Sequence, residues 1–194
     1  QHGVSLISVE GLNFDSFLPL FGDNALKIPV AVLTDADPVA PKAPPAGAED
    51  EENEDEDAVP VYPAPGDTII VSANTAKMKT REDDHVKVFH GLKTFEYDLA
   101  LEPENRAAML KALGDLRPRI AKSLATAVAA EIGDAAQAKA LFCGMFEREQ
   151  SNVQKGSFAQ SLAQVISDKT VPFKVPAYIQ AAIKHACKVA TPTP

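Results

Sequence analysis

Cysteine is nearly absent: Cys143 and Cys187 are the only two in 194 residues, and both fall inside helix-like stretches. Two thiols so placed give no disulfide framework and no Cys/His zinc spacing, which fits a reducing cytoplasm. Histidine is also sparse; His2, His85, His90 and His185 show no ligand spacing and read as structural or exposed. No apolar run reaches the roughly 20 residues of a membrane span, and the N-terminus lacks the basic-then-apolar order of a signal peptide. A basic surplus is missing too. Formal net charge is −8, yet eight of the 27 acidic residues crowd between Glu49 and Asp57, and the 19 that remain equal the 19 Lys and Arg. The globular part is therefore near neutral, without the broad basic surface that holds nucleic acid through counterion release. Any contact with nucleic acid has to be local, metal-mediated or shared with a partner.

What is present suffices for one compact domain with appended elements, since 45% of the residues are hydrophobic and a chain of this length can bury a core. Val4 to Val9 is short, β-branched and apolar on alternate positions, the pattern of a strand. Phe14, Phe17, Leu18 and Phe21 recur at helical spacing after Asn13 and predict a helix ending near Gly22. Ile28 to Leu33 is a nearly continuous apolar run, as in a parallel strand buried on both faces. Strand, helix, strand implies a βαβ crossover. Because the chain opens with Gln1 almost directly in a strand pattern, we read it as beginning inside a larger protein.

From Pro38 to Gly66 prolines and self-repelling acids predict a disordered surface insertion. Ile69-Ile70-Val71 then leads into a polar segment with Lys77, Lys79 and Arg81, and Val86, Val88 and Phe89 suggest a further strand. Beyond Phe95 the reading is helical. Apolar stripes run through Leu116, Ile120, Leu124 and Val128; Leu141, Phe142, Met145 and Phe146; Phe158, Leu162, Val165 and Ile166; and Tyr178, Ala182, Ile183 and Ala186.

Asp35-Ala36-Asp37 follows the apolar strand directly. Residues two apart on an extended chain project to one side, and ligands bind at the carboxyl ends of strands in an open parallel sheet. Two hard oxygen donors there suit magnesium or manganese; the plain alternative is an Asp capping a turn before Pro38. Glu96, after the later strand, could add a carboxylate or could be an acid in the first turn of a helix. Lys155, beside Gly156 at a helix start, could face a phosphate or be a surface lysine. Glu10, closing the first strand, could border the site or sit in a surface turn.

Four motifs occur in order: Ile7-Ser8-Val9 with Gly11-Leu12-Asn13-Phe14, then Ile28 through Asp37, then Thr94-Phe95-Glu96-Tyr97-Asp98-Leu99-Ala100, then Lys155-Gly156 with Phe158-Ala159. Together they resemble the C-terminal Toprim region of the overcoming-lysogenisation-defect (OLD) family of ATP-dependent endonucleases. The resemblance implies an α/β fold with a Toprim-like, mostly parallel sheet flanked by helices and an inserted helical region. Residues 1–100 would form the Toprim-like core, interrupted at about 38–66; 101–152 a helical insertion or cap; 153–190 the helices completing the core; and 191–194 a tail.

It further implies a two-metal Mg²⁺ or Mn²⁺ site hydrolysing DNA phosphodiesters by in-line attack of water. Asp35 and Asp37 would be at the metals, Glu96 a further acidic ligand or water-positioner, and Lys155 the cation near the scissile phosphate. ATP would act only through an N-terminal ATPase domain outside this sequence. The implied partners are DNA, that ATPase domain and a second copy in a homodimer, in the cytoplasm and without a membrane. The Toprim glutamate would precede the first residues here, and Glu10 stands where a small residue is expected. Two other readings remain open: a haloacid-dehalogenase-like phosphatase using the Asp35-Ala36-Asp37-Pro38 loop, and a non-catalytic metal-binding interaction module.

Overall fold

The computed structural model describes residues 3–9, 13–40 and 60–188. Within them are two strands, β1 (Val30–Leu33) and β2 (Val86–Phe89), and the helices α1 (Ala73–Lys79), α2 (Phe95–Leu101), α3 (Pro103–Leu116), α4 (Pro118–Ala130), α5 (Asp134–Phe146), α6 (Lys155–Ser167) and α7 (Ala177–Ala186). The fold class is α/β, a parallel sheet with flanking helices and a helical region, as the sequence leads one to expect. The chain divides into two compact units. One holds residues 1–61, 68–93 and 177–194; the other holds 62–67 and 94–176.

In the first unit β1 and β2 pair in parallel, Val30 opposite Val86 and Val32 opposite Val88. Alternation along the strands puts these four valines on one face. There they join Leu18, Met78, Phe14 and Phe21 in the apolar core. The opposite face takes α7, whose buried Ala182 and His185 lie against the strands; the His185 ring is 6.0 Å from that of Phe89 and its Nε2 is 2.8 Å from the His85 carbonyl. A two-stranded sheet is marginal by itself. Here both faces are covered.

The expected first strand and first helix both differ. Residues 3–9 pair with no strand among the described residues, and Val4, Leu6 and Ile7 are exposed. Alternation reports which side chains could be buried; it cannot supply the neighbour that makes a strand. The helix expected after Asn13 is two 3₁₀ turns, Asn13–Ser16 and Leu18–Leu20. Pro19 has no N–H to give to the carbonyl four residues back, so an α-helix cannot run through it. The second strand starts at Val30 rather than Ile28 for a related reason, Pro29 being unable to donate to a ladder.

The second unit is helical. Its core is Tyr97, Leu99, Met109, Leu113, Leu141, Met145, Phe158 and Val165, with α3 packed on α4 and α6, and α5 on α2 and α4. The expected stripe from Leu116 to Val128 spans a break: Pro118 forbids α geometry at Arg117, which takes φ −143° and ψ 69°, so Leu116 closes α3 and Leu124 and Val128 are buried from α4. Two buried polar side chains tie the unit together. Asn105 bonds the Leu99 and Lys174 carbonyls and accepts the Lys174 N–H. Arg106 bonds the Ala100 carbonyl, Asp134 and Gln137, so its buried charge is fully engaged.

The expected insertion is shorter at its far end. Tyr62 packs edge-on to Tyr97 and Phe142, with Lys139 over its ring 4.6 Å from the centroid and its hydroxyl donating to Glu147. The Tyr97 hydroxyl donates to the Pro63 carbonyl at 2.9 Å, and burial pushes its pKa up to about 12. The acidic run Glu49–Asp57, Glu10 and the tail 191–194 lie outside the described residues. Helix α6, expected to complete the sheet core with α7, instead packs on α3 in the helical unit.

Candidate metal and phosphate site

The sheet unit positions the acidic loop through its backbone. Past Leu33 the Thr34 N–H donates to the Phe89 carbonyl at 3.1 Å, which carries the parallel pairing one residue beyond β1. The Lys93 carbonyl then accepts both the Ala36 and Asp37 N–H groups, at 2.8 and 3.2 Å. From the other side the Thr75 hydroxyl donates to the Asp35 carbonyl at 2.8 Å and the Ser72 N–H to the Ala36 carbonyl at 2.9 Å. Ser72 is also the N-cap of α1, accepting the Thr75 N–H. Ala36 is fully buried; a larger residue would break this clasp.

The loop leaves both strands at their carboxyl ends, where ligands bind in open parallel sheets. Asp37 sits at φ 41°, a left-handed conformation that aspartate tolerates better than most residues. The chain therefore turns at Asp37, and strand alternation fixes the side of Asp35 only. Asp35 is half-buried and Asp37 exposed.

Glu96 and Lys155 are brought together within the helical unit. Thr94 caps α2 by accepting the Tyr97 N–H, which puts Glu96 in the first turn. Lys155 is the first residue of α6, and its ammonium lies 2.9 Å from Glu96 Oε2 and 5.9 Å from the Phe146 ring centroid. The Glu96 side chain is 14% exposed and that of Lys155 54%. A sheltered carboxylate thus holds a lysine whose head still reaches water.

One cluster escaped the sequence reading. Asp23, Asp83 and His85 offer ligand atoms all within 4.8 Å of one another, the only such set of three among the described residues. Asp83 accepts the backbone N–H groups of Asp23, His85 and Val86, each at 2.8 Å, and His85 Nδ1 is 2.9 Å from Asp23. These bonds, Val86 first, hold the Asp83 carboxyl below the usual carboxylate range. Gly22, at φ 110°, makes room for it, because a Cβ there would lie 2.2 Å from Asp83 Oδ2. The cluster fastens the 22–26 turn to the start of β2. No motif announces it, since Asp23 lies 60 and 62 residues before Asp83 and His85.

A model of the Toprim domain of overcoming-lysogenization-defect-like proteins matches residues 1–37. That stretch is similar to a Toprim domain. It ends on Asp37, so it takes in both aspartates of the loop. Toprim domains bind divalent metals, and the oxygen-only donors of Asp35 and Asp37 suit such ions. No curated protein and no solved structure matches the chain. Among the described residues no helix is long and apolar enough to cross a membrane.

Proposed function

We propose that this chain is the nuclease portion of a larger ATPase-nuclease of the OLD type, a metal-dependent endonuclease that hydrolyses DNA phosphodiesters. The observation that carries the reading is that the Toprim-like stretch closes on the acidic loop at the carboxyl end of β1. In this reading Asp35 and Asp37 bind Mg²⁺ or Mn²⁺. A bound metal supplies water of lowered pKa and neutralises charge on the phosphate.

The chain's own residues do the rest. The backbone bonds to Lys93, Ser72 and Thr75 fix the loop before any ligand arrives, so little reorganisation is needed on binding. Glu96 restrains Lys155, whose ammonium faces the negative charge that develops as the phosphodiester breaks. ATP enters through an ATPase domain N-terminal to these residues, and a second copy could complete a dimer around a duplex.

Nicking of supercoiled plasmid with manganese, by a chain extended upstream to restore the Toprim glutamate, tests this. Asp35→Ala and Asp37→Ala should abolish nicking and weaken manganese binding in calorimetry. Lys155→Ala and Lys155→Met should slow nicking by about 10²–10³, as for a single transition-state donor, with manganese binding intact. Manganese binding unchanged in both aspartate variants would remove the metal site. Nicking by both lysine variants within about twofold of the parent would return Lys155 to an ordinary ion pair.

A further inference from the structure

We infer that the groove between α4 and α5 binds the phosphodiester backbone of duplex DNA, through Arg119, Arg148 and the Ser123 hydroxyl. The groove has a volume of about 370 Å³ and is lined by these three residues together with Ile120, Leu124, Ala127 and Gly144. Gly144 sets its depth: a Cβ there would lie 2.4 Å from Leu124 Cδ1, so the glycine lets the two helices approach closely.

The arginines of the groove are unpaired among the described residues, and of the two acids that flank Arg148 in the chain, Glu147 and Glu149, the first is engaged by the Tyr62 hydroxyl. Arg119 and Arg148 are exposed, and neither guanidinium has an ion-pair or hydrogen-bond partner among the described residues. This contrasts with Arg106 and Lys155 in the same unit, which are paired with Asp134 and Glu96. Helix α4 has no carboxylate along its 13 residues but carries Arg119 and Lys122, and Arg117 precedes it. Outside the acidic run the chain is near neutral, and two cations, Arg119 and Arg148, line this one concave surface, with Arg117 and Lys122 close to Arg119 in the chain. A planar guanidinium bonds phosphate oxygens in pairs and a hydroxyl adds one donor, so the expected contact is to the backbone.

The inference rests on the reading of this chain as one that acts on DNA. Its test needs no cleavage, so the two can fail separately. Binding of a fluorescent 20-base-pair duplex is followed by anisotropy in EDTA from 50 to 200 mM salt. Arg119→Ala with Arg148→Ala should weaken binding roughly tenfold at the low-salt end and make the log–log salt slope shallower by about 1.8, the value for two lost phosphate contacts. The loss should be equal for duplexes of unrelated sequence. Arg119→Lys with Arg148→Lys should keep most of the slope, and Ser123→Asp should weaken binding at least as much as the alanine pair.

Lys111→Ala with Lys169→Ala removes the same charge elsewhere in the helical unit and should have little effect. The proposal is overturned if the alanine pair binds within twofold of the parent, or if the Lys111/Lys169 pair loses as much. It is also overturned if inorganic phosphate or a mononucleotide binds as tightly as the duplex at equal phosphate concentration, which would make the groove a small-molecule site.

Discussion

Asp83 shows how much one carboxylate can organise in a small sheet unit. Its three backbone bonds join the 22–26 turn to β2, and they are strongest when the carboxyl is ionised. With its pKa depressed on folding, the stabilisation is complete above the unfolded value near 4 and fades as pH falls through the lower folded value. The melting temperature should therefore be level between about pH 7 and 5 and fall below about 4. Asp83→Asn should lower it at neutral pH and blunt the acid decline. Asp15, also depressed chiefly through its bond to Lys77, is half exposed, so its part should vanish in 0.5 M salt while that of Asp83 persists. An acid limb unchanged in Asp83→Asn would discredit the turn lock. At this scale the sequence told only of neighbours. Asp35 and Asp37 stood out because an apolar run precedes them within the same few residues, and Glu96 and Lys155 through separate local patterns. That Glu96 pairs with Lys155, and Asp23 with Asp83 and His85, depends on contacts 59 to 62 residues apart that no spacing encodes.

Among the elements, those legible in advance carry their own punctuation. Strands β1 and β2 were visible as apolar β-branched runs, and α5 and α6 as stripes whose residues Leu141, Phe142, Met145, Phe158, Leu162 and Val165 are buried. What misled was periodicity read across a proline, at Pro19 and Pro118, and composition read across Tyr62. That tyrosine lies in a Pro-rich stretch yet packs edge-on against two rings of the helical unit, and burial first, then its hydrogen bonds to Cys143 and Glu147, raise its pKa. The segment expected to be dispensable should accordingly divide in two. Replacing residues 41–59 with a short Gly/Ser linker should leave the melting temperature nearly unchanged and tighten DNA binding at low salt, since eight acids are removed. Tyr62→Ala should cost about 2–4 kcal/mol by leaving a cavity beside Tyr97 and Phe142, measurable by urea denaturation. A loss under about 0.5 kcal/mol would mean that the ring contributes no packing.

For the whole molecule the governing feature is connectivity. The helical unit is continuous from Thr94 to Pro176, with residues 62–67 added, whereas the sheet unit is assembled from pieces before, between and after them. Its last piece, α7, covers one face of β1 and β2. Ending the chain at Pro176 should therefore leave the helical unit's amides protected from hydrogen exchange while those of β1 and β2 lose protection; equal protection in both would show that α7 is dispensable. Translation imposes the same dependence in time. When a ribosome has released Pro176, the helical unit has all of its sequence, but β1 and β2, which position the Asp35–Asp37 loop, still lack the helix that covers them, and the sheet must wait for the final turns to emerge. During that wait one face of the two strands is open to other nascent chains, so the interval between Leu33 and Ala186 on the messenger sets how long that face stays exposed to aggregation.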